Sequence, residues 1–496
     1  MSEEKAKVKV IRTALDDLPF GDDEGDFGQH EKVTSRLPEG VQSRRLYGDI
    51  AKIAWPSFVE LMLTQLASMV DMMMVGKLGP WALTAVGLTT QPKFLLMTMF
   101  IAMNVGATAM VARYRGAGDR ERANKIMRQA LMLNLFLSLI SSVIGYAFAR
   151  PMVVFMGGME ENVIDGSVVY LRIQMIGFTF MALTSAITAV LRGVGDSRTA
   201  MIYNMTANVV NVFFNYCLIY GHFGFPAMGV AGASLATIIG QFVAFVYALF
   251  YICAGKRYLH LRFRDGFKPD FGELRKVVQI GIPSMIEQLV MRAGMIIYSK
   301  TVASLGTVAY ATHQVCMNIQ GMSFMSGQAF AVSATSLVGQ SLGKKRPDMA
   351  QAYCSRTQRI GFVVAVFIGL AFFFFGGAIV GLYNDEKEIV LTGADIMKLM
   401  AFTQPFQTSQ FILAGGLRGA GDTRSTAVIS FITILLIRPG VALLLINVFD
   451  MGLMGAWIAM VCDQILRTTL VFLRYQSGKW KSINRALGAQ KPARAS

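Results

Sequence analysis

The chain has 496 residues, 54% of them hydrophobic and only 16% charged, with a net charge of +16 and a mean hydropathy of +0.47. Soluble domains carry about 25% charged residues, so this composition excludes a disordered chain, a disulfide scaffold and a cytosolic enzyme, and points to a polytopic membrane protein. The five cysteines are scattered without Cys-x-x-Cys spacing and imply neither a disulfide nor a metal site.

Residues 1–45 are polar and mixed in charge, and no short apolar core with a small-residue cleavage site marks them as a signal peptide. They read as a disordered cytoplasmic tail. Apolar stretches then follow near 50–75, 83–112, 124–149, 163–191, 197–220, 229–254, 275–303, 308–341, 350–381, 390–417, 424–448 and 453–474. Each is long enough to cross about 30 Å of hydrocarbon. The expected fold is therefore an all-α membrane protein with twelve transmembrane helices. Its parts are an N-lobe at 46–254, a cytoplasmic linker at 255–273, a C-lobe at 274–478 and a basic tail at 479–496.

The loops alternate in basicity. One side holds Arg113, Arg115, Arg120, Arg122 and Lys125, then Arg192 and Arg198, the run from Lys256 to Lys268, Lys344 to Arg346, Arg418 and Arg424, and Lys479 and Lys481. The other side holds little beyond Lys77, Arg150 and Lys387. Basic loops face the cytoplasm, which places both termini there and makes the excess charge a record of topology rather than a nucleic-acid footprint.

The two halves repeat. At an offset of 227, Pro56, Ser57, Glu60, Gly79, Thr108 and Gly116 fall on Pro283, Ser284, Glu287, Gly306, Thr335 and Gly343. "LRGVGDSR" (Leu191–Arg198) falls on "LRGAGDTR" (Leu417–Arg424) at 226, and Gly229, Gly232 and Gln241 fall on Gly452, Gly455 and Gln464 at 223. Each half holds an even number of spans, so the repeats are parallel and related by an axis along the membrane normal, a design in which two bundles alternate access around a midplane site. No Gly-x-x-x-x-Gly-Lys-Ser/Thr loop is present to hydrolyse a nucleotide. Energy must come from an ion gradient or a partner, and no cofactor is expected. No selectivity-filter sequence supports a channel.

Ionisable groups inside spans cost at least about 2.5–3.5 kcal/mol at mid-helix and need a reason. Asp71 lies five residues before Gly76, where the first span reaches the outer surface. Asn215 stands five residues before the end of the fifth span, with Asn211 and Asn208 at i−4 and i−7 on the same helix face. Tyr170, about 12 Å into the fourth span, falls in the same outer half. A carboxylate with amide oxygens can hold Na+ at Asp71, Asn211 and Asn215, or the carboxylate alone can exchange a proton. The same residues also fit a structural reading, with the asparagines bonding between helices and Asp71 in a wet vestibule.

Glu60 and Glu287 are a repeat pair, each four residues after a proline, and suit either the substrate path or the lobe interface. Asp463 stands four residues from Arg467, the spacing of a local ion pair. Lys93 joins Glu60 and Glu287 as a candidate on the substrate path or lobe interface, and the sequence pattern otherwise offers it only snorkelling or a bridge to Asp71. His313 reads as a packed polar residue, and Gln314 as a second candidate on the substrate path. Met72, Met73, Met97, Met317 and their neighbours suit an adaptable cleft.

"LRGVGDSRTAM", "LRGAGDTRSTA", "NVGATAMVARYRGAGD", "VDMMMVGKLG" and the long "ATHQVCMNIQGMSFMSGQAFAVSATSLVGQSLG" segment resemble the multidrug and toxin extrusion (MATE) family, on its bacterial DinF-like and NorM-like side. The resemblance covers roughly residues 46–478. It implies a monomeric two-lobed antiporter in the cell (plasma) membrane, exporting amphipathic, often cationic small molecules in exchange for H+ or Na+. It places Asp71 on the family's first-span Asp, Tyr170 on its fourth-span Tyr and Asn211 on its fifth-span Asn. Asn215 replaces a second Asp of the DinF-like pattern, and Met291 and Gln407 replace the two acids of the NorM-like sodium site. A lipid-linked sugar flippase of related architecture is the competing function, and its pyrophosphate would need Lys93, Arg292 and Arg438.

Overall fold

The computed structural model describes residues 38, 41–158, 160–254, 258–262, 264, 266–383 and 386–483. The expected N-terminal tail falls almost wholly outside the described residues, as do Lys256 and Arg257 of the linker and residues 484–496 of the C-terminal tail.

The described residues fold into helices without a strand. Twelve are long: α1 Ser43–Gly76, α2 Pro80–Ala117, α3 Arg120–Ala147, α4 Glu161–Gly193, α5 Ser197–Tyr220, α6 Val230–Cys253, α7 Phe271–Ala303, α8 Thr307–Gly343, α9 Pro347–Gly381, α10 Lys387–Ala420, α11 Thr423–Asn447 and α12 Gly452–Gln476. A short helix, Ala149–Phe155, links α3 to α4. Nine of the twelve are long and apolar enough to cross a membrane. The other three, α5, α8 and α10, carry the polar rows: four asparagines on α5, His313 to Gln320 on α8, and Gln404, Gln407 and Gln410 on α10.

Several helices outrun the apolar stretches by about a turn at the end carrying the basic loops, hereafter the basic face. Hydropathy registers only the part suited to hydrocarbon, whereas caps set the ends. Asp119, Asp196, Asp270 and Asp422 each accept a backbone N–H in the first turn of α3, α5, α7 and α11, satisfying donors that a helix start leaves open. The Leu-Arg-Gly-x-Gly-Asp turns need Gly195 and Gly421, both at φ +88°, where a Cβ would be strained.

Helices α1–α6 and α7–α12 form two lobes, and the contacts between them come in reciprocal pairs. A Cβ on Gly116 would lie 1.9 Å from the Gln340 carbonyl oxygen, and one on Gly343 would lie 2.0 Å from that of Arg113. Shifting either pair by 227 residues gives the other. Likewise Gly106 sits against the Val277 carbonyl, and Ser333 donates to the Ile50 carbonyl at 3.3 Å. Exchanged partners at a fixed offset are what a two-fold relation between parallel repeats produces. The seam is tied at the basic face: Gln340 and Ser336 donate to the Gly193 carbonyl at 3.0 and 3.2 Å, and Tyr353 donates to Asp49 at 2.9 Å. Toward the opposite face α1 is open, with Leu66, Met69 and Met73 exposed.

Candidate functional site

Helices α1 and α5 meet through a ladder with a constant separation of 144 residues. Asn204 donates to Glu60 at 2.7 Å, Asn208 to Thr64 at 3.2 Å, and Asn215 to Asp71. A constant difference, rather than a constant sum, means that the helices run parallel. The steps of four and seven residues keep every rung on one face of each.

At the top rung Asp71 is half-buried and surrounded by neutral donors. Asn215 donates to its Oδ1. With its amide nitrogen toward the carboxylate, Asn211 donates to both oxygens at 2.9 and 3.0 Å. Its own oxygen then accepts from the Thr237 N–H at 3.1 Å and hydroxyl at 3.3 Å, whereas the reverse orientation sets acceptor against acceptor. The Thr237 hydroxyl also meets the buried Tyr170 hydroxyl, and Ser234 donates to the Tyr170 carbonyl at 2.8 Å. Asn215 Oδ1 is a buried acceptor with no donor. Lys93, half-buried on α2, acts on Asp71 electrostatically without an ion pair.

Of the residues expected here, Asp71, Asn211, Asn215 and Tyr170 come together. Asn208 stands apart, two turns nearer the basic face on Thr64, because i−7 from Asn215 keeps the face but moves about 10 Å along the axis. Thr237 was not among the expected residues. Its signal is a hydroxyl on the small-residue face of α6, Gly232-Ala-Ser-Leu-Ala-Thr237. Asn204, one turn below Asn208, was also missed.

The repeat acids Glu60 and Glu287 close inside their own lobes. Arg192 pairs with Glu60 at 2.9 Å. Arg418 pairs with Glu287 at 2.6 Å, and Thr426 and Ser430 donate to the same carboxylate at 3.2 and 3.4 Å. The arginine of each Leu-Arg-Gly-x-Gly-Asp turn thus reaches back to the first helix of its lobe. The aspartate caps the next helix and takes a further donor: Tyr251 at 2.8 Å on Asp196, and Arg474 at 2.8 Å on Asp422.

In the C-lobe, Asp463 is fully buried and held by Arg438 and by Arg467 at 3.3 Å. The π-helical turn Phe431–Ile437 in α11 adds a residue and returns the repeat offset from 226 to 227, so that Arg438 stands where Asn211 does. Packing agrees: Asn211 lies on Gly240, and Arg438 lies on Asp463, its counterpart at 223. Tyr298, the counterpart of Asp71, donates to the Ala456 carbonyl at 2.8 Å, meets His313 edge-on and lies under the Arg438 guanidinium. His313 is packed among Tyr298, Tyr310 and Trp457, and Gln314 donates to the Tyr310 hydroxyl at 2.7 Å. Gln407 is buried with neither amide atom partnered.

The MatE family profile matches residues 56–217 and 283–444, two stretches set apart by the same 227 residues as the internal repeat. The probable multidrug resistance protein NorM of Thermotoga maritima is 29% identical over 433 residues, covering 87% of this chain and 93% of that protein. Multidrug resistance protein PmpM of Pseudomonas aeruginosa is 27% identical over 79% of this chain and 83% of its own length. A solved structure described as the outward-facing conformation of a multidrug resistance MATE family transporter of the MOP superfamily matches with a TM-score of 0.82 at 21% identity over 92% of this chain and all of that one.

Proposed function

The chain belongs to the MatE family, and from that premise we propose that it is a multidrug efflux antiporter that uses Asp71 to couple export of amphipathic compounds to entry of H+ or Na+. One observation carries the coupling role. Among the described residues, Glu60, Glu287 and Asp463 each have an arginine, while Asp71 has only neutral donors. A carboxylate whose charge is not closed by a guanidinium keeps its affinity for an exchangeable cation. The orphan Asn215 Oδ1 beside it supplies an oxygen that suits Na+ or a hydrated proton.

Twelve spans, basic loops and both termini in the cytoplasm of a plasma membrane, and a monomer surrounded by lipid complete the reading. A seam closed at the basic face and open along α1 is the arrangement that alternating access would exchange for its opposite. The multidrug relatives disfavour the flippase.

The test is efflux from proteoliposomes with a proton and a sodium gradient imposed separately. Asp71→Asn is expected to reduce gradient-driven efflux to that of empty vesicles with protein abundance unchanged. Wild-type rates under both gradients would place coupling elsewhere.

A further inference from the structure

Most of the basic side chains inside the bundles have a carboxylate. Arg192 has Glu60, Arg418 has Glu287, and Arg438 and Arg467 share Asp463. Lys93 on α2 and Arg292 on α7 have no ion pair among the described residues, yet both are half-buried about 16–20 Å along their helices from the face opposite the basic one. Charges at that depth are costly to keep without a role.

Arg292 stands at the seam between the lobes, and Lys93 is the chain neighbour of the ring it meets there, Phe94. Helices α2 and α7 cross there in an antiparallel register fixed by Gly106 on Val277 and Gly281 on Met103. Extended outward, that register brings Lys93 and Arg292 to the same level. The contact is direct at the neighbouring residue: the Arg292 guanidinium lies 4.5 Å from the centroid of the Phe94 ring. A cation–π contact orients a guanidinium without neutralising it, so its hydrogen-bond donors stay available. Asp71 acts on Lys93 electrostatically without reaching ion-pair distance.

We propose that Lys93 and Arg292 form the head-group site for an anionic substrate, a carboxylate, sulfonate or phosphate on an apolar frame. This rests on the exporter reading and names its substrate class. The guanidinium fork and the ammonium supply charge-assisted donors for the anion. Phe94 and the methionines of α1 and α2 supply an adaptable apolar wall. An organic cation at the same level meets two like charges, which is a device against the wrong partner.

Fluorescein and rhodamine 123 share a xanthene frame and differ in charge, so their binding to the full-length protein in an uncharged detergent, read by fluorescence anisotropy without any gradient, tests the assignment. The wild type is expected to bind fluorescein at least about tenfold more tightly than rhodamine 123, and the Lys93→Gln, Arg292→Gln double variant to lose about ten- to a hundredfold of that affinity. Arg292→Lys, which keeps the charge, should retain most of it and guards against a variant that fails to fold. Displacement of fluorescein by phosphatidylglycerol would assign the anionic group to a lipid, and its absence would assign it to a free solute. Preference for rhodamine 123 in the wild type, or unchanged fluorescein affinity in the folded double variant, overturns the proposal and leaves the exporter reading intact. Conversely, Asp71→Asn removes the acid that acts on Lys93, so fluorescein binding should hold or tighten while gradient-driven efflux is lost, and failure of the coupling role is read separately.

Discussion

The two lobes share a sequence pattern and an arginine–glutamate clasp, Arg192–Glu60 in one and Arg418–Glu287 in the other, yet they hold their remaining buried or half-buried acid in opposite ways. In the N-lobe Asp71 is held by Asn211 and Asn215, neutral groups that orient a carboxylate and leave its charge in place. In the C-lobe Asp463 is fully buried between Arg438 and Arg467, while Tyr298 fills the position of Asp71. The difference teaches that a duplicated bundle can leave one acid on neutral donors and close another with arginines. The arginine at the Asn211 position, placed there by one extra residue in the π-helical turn of α11, is the change on which this turns.

The largest test of that contrast is the same acid-to-amide change in each lobe. Asp463→Asn leaves two buried guanidinium groups facing each other and should cost about 3–5 kcal/mol, read as a loss of folded protein in detergent unfolding. Asp71→Asn should cost less than about 1 kcal/mol, because its partners are amides that can turn, while stopping transport. Equal destabilisation by both would erase the distinction.

The clasps provide a graded comparison. Glu287→Gln disturbs a carboxylate with Arg418, Thr426 and Ser430 on it, and should cost about 2–3 kcal/mol. Glu60→Gln, with Arg192 and Asn204, should cost less. The reverse ranking, measured by thermal unfolding, would show that partner number does not set clasp strength.

Where the lobes are alike, effects should be alike. Gly116→Ala and Gly343→Ala each drive a Cβ into a backbone carbonyl at about 2 Å, and each should cost about 1–3 kcal/mol. Unequal losses would mean that the seam is not two-fold in its energetics.

The smallest expected effect lies in the loops. Asp270 caps α7 and pairs with Lys125, whereas the corresponding start of α1 at Gln42 has no side-chain cap. The Lys125 ammonium, followed by the backbone N–H of Glu273, holds the Asp270 carboxyl below its usual range. A carboxyl lowered in the folded state contributes stability that is full above its unfolded value of about 3.9 and is lost as pH falls through the lower folded value. Asp270→Ala should therefore cost about 1 kcal/mol at neutral pH, and the gap to wild type should close in acid. A gap that persists below that range would assign the effect to something other than the charge.

The ladder between α1 and α5 was partly legible, since the spacing of Asn208, Asn211 and Asn215 already puts them on one face. What spacing could not say is how the two helices align. That is why Asn208 was grouped with Asp71 although it bonds Thr64, and why Thr237, from a third helix, was missed. Gln340 was equally opaque: nothing around it in the chain indicates that its amide reaches the Gly193 carbonyl across the seam.

By itself the sequence determined the all-α class, the parallel repeat, the prolines and turns at matched positions, and Asp71 as the acid to examine. These follow from local rules: apolar length, turn residues, and the cost of a charge in hydrocarbon. Only the tertiary structure decided which charges are closed. Arg192 meets Glu60 across 132 residues and Arg438 meets Asp463 across 25, while Lys93 and Arg292 meet neither acid at ion-pair distance. Ion pairing is settled within a few ångströms, and at that scale the register between helices, which no single helix encodes, determines the outcome.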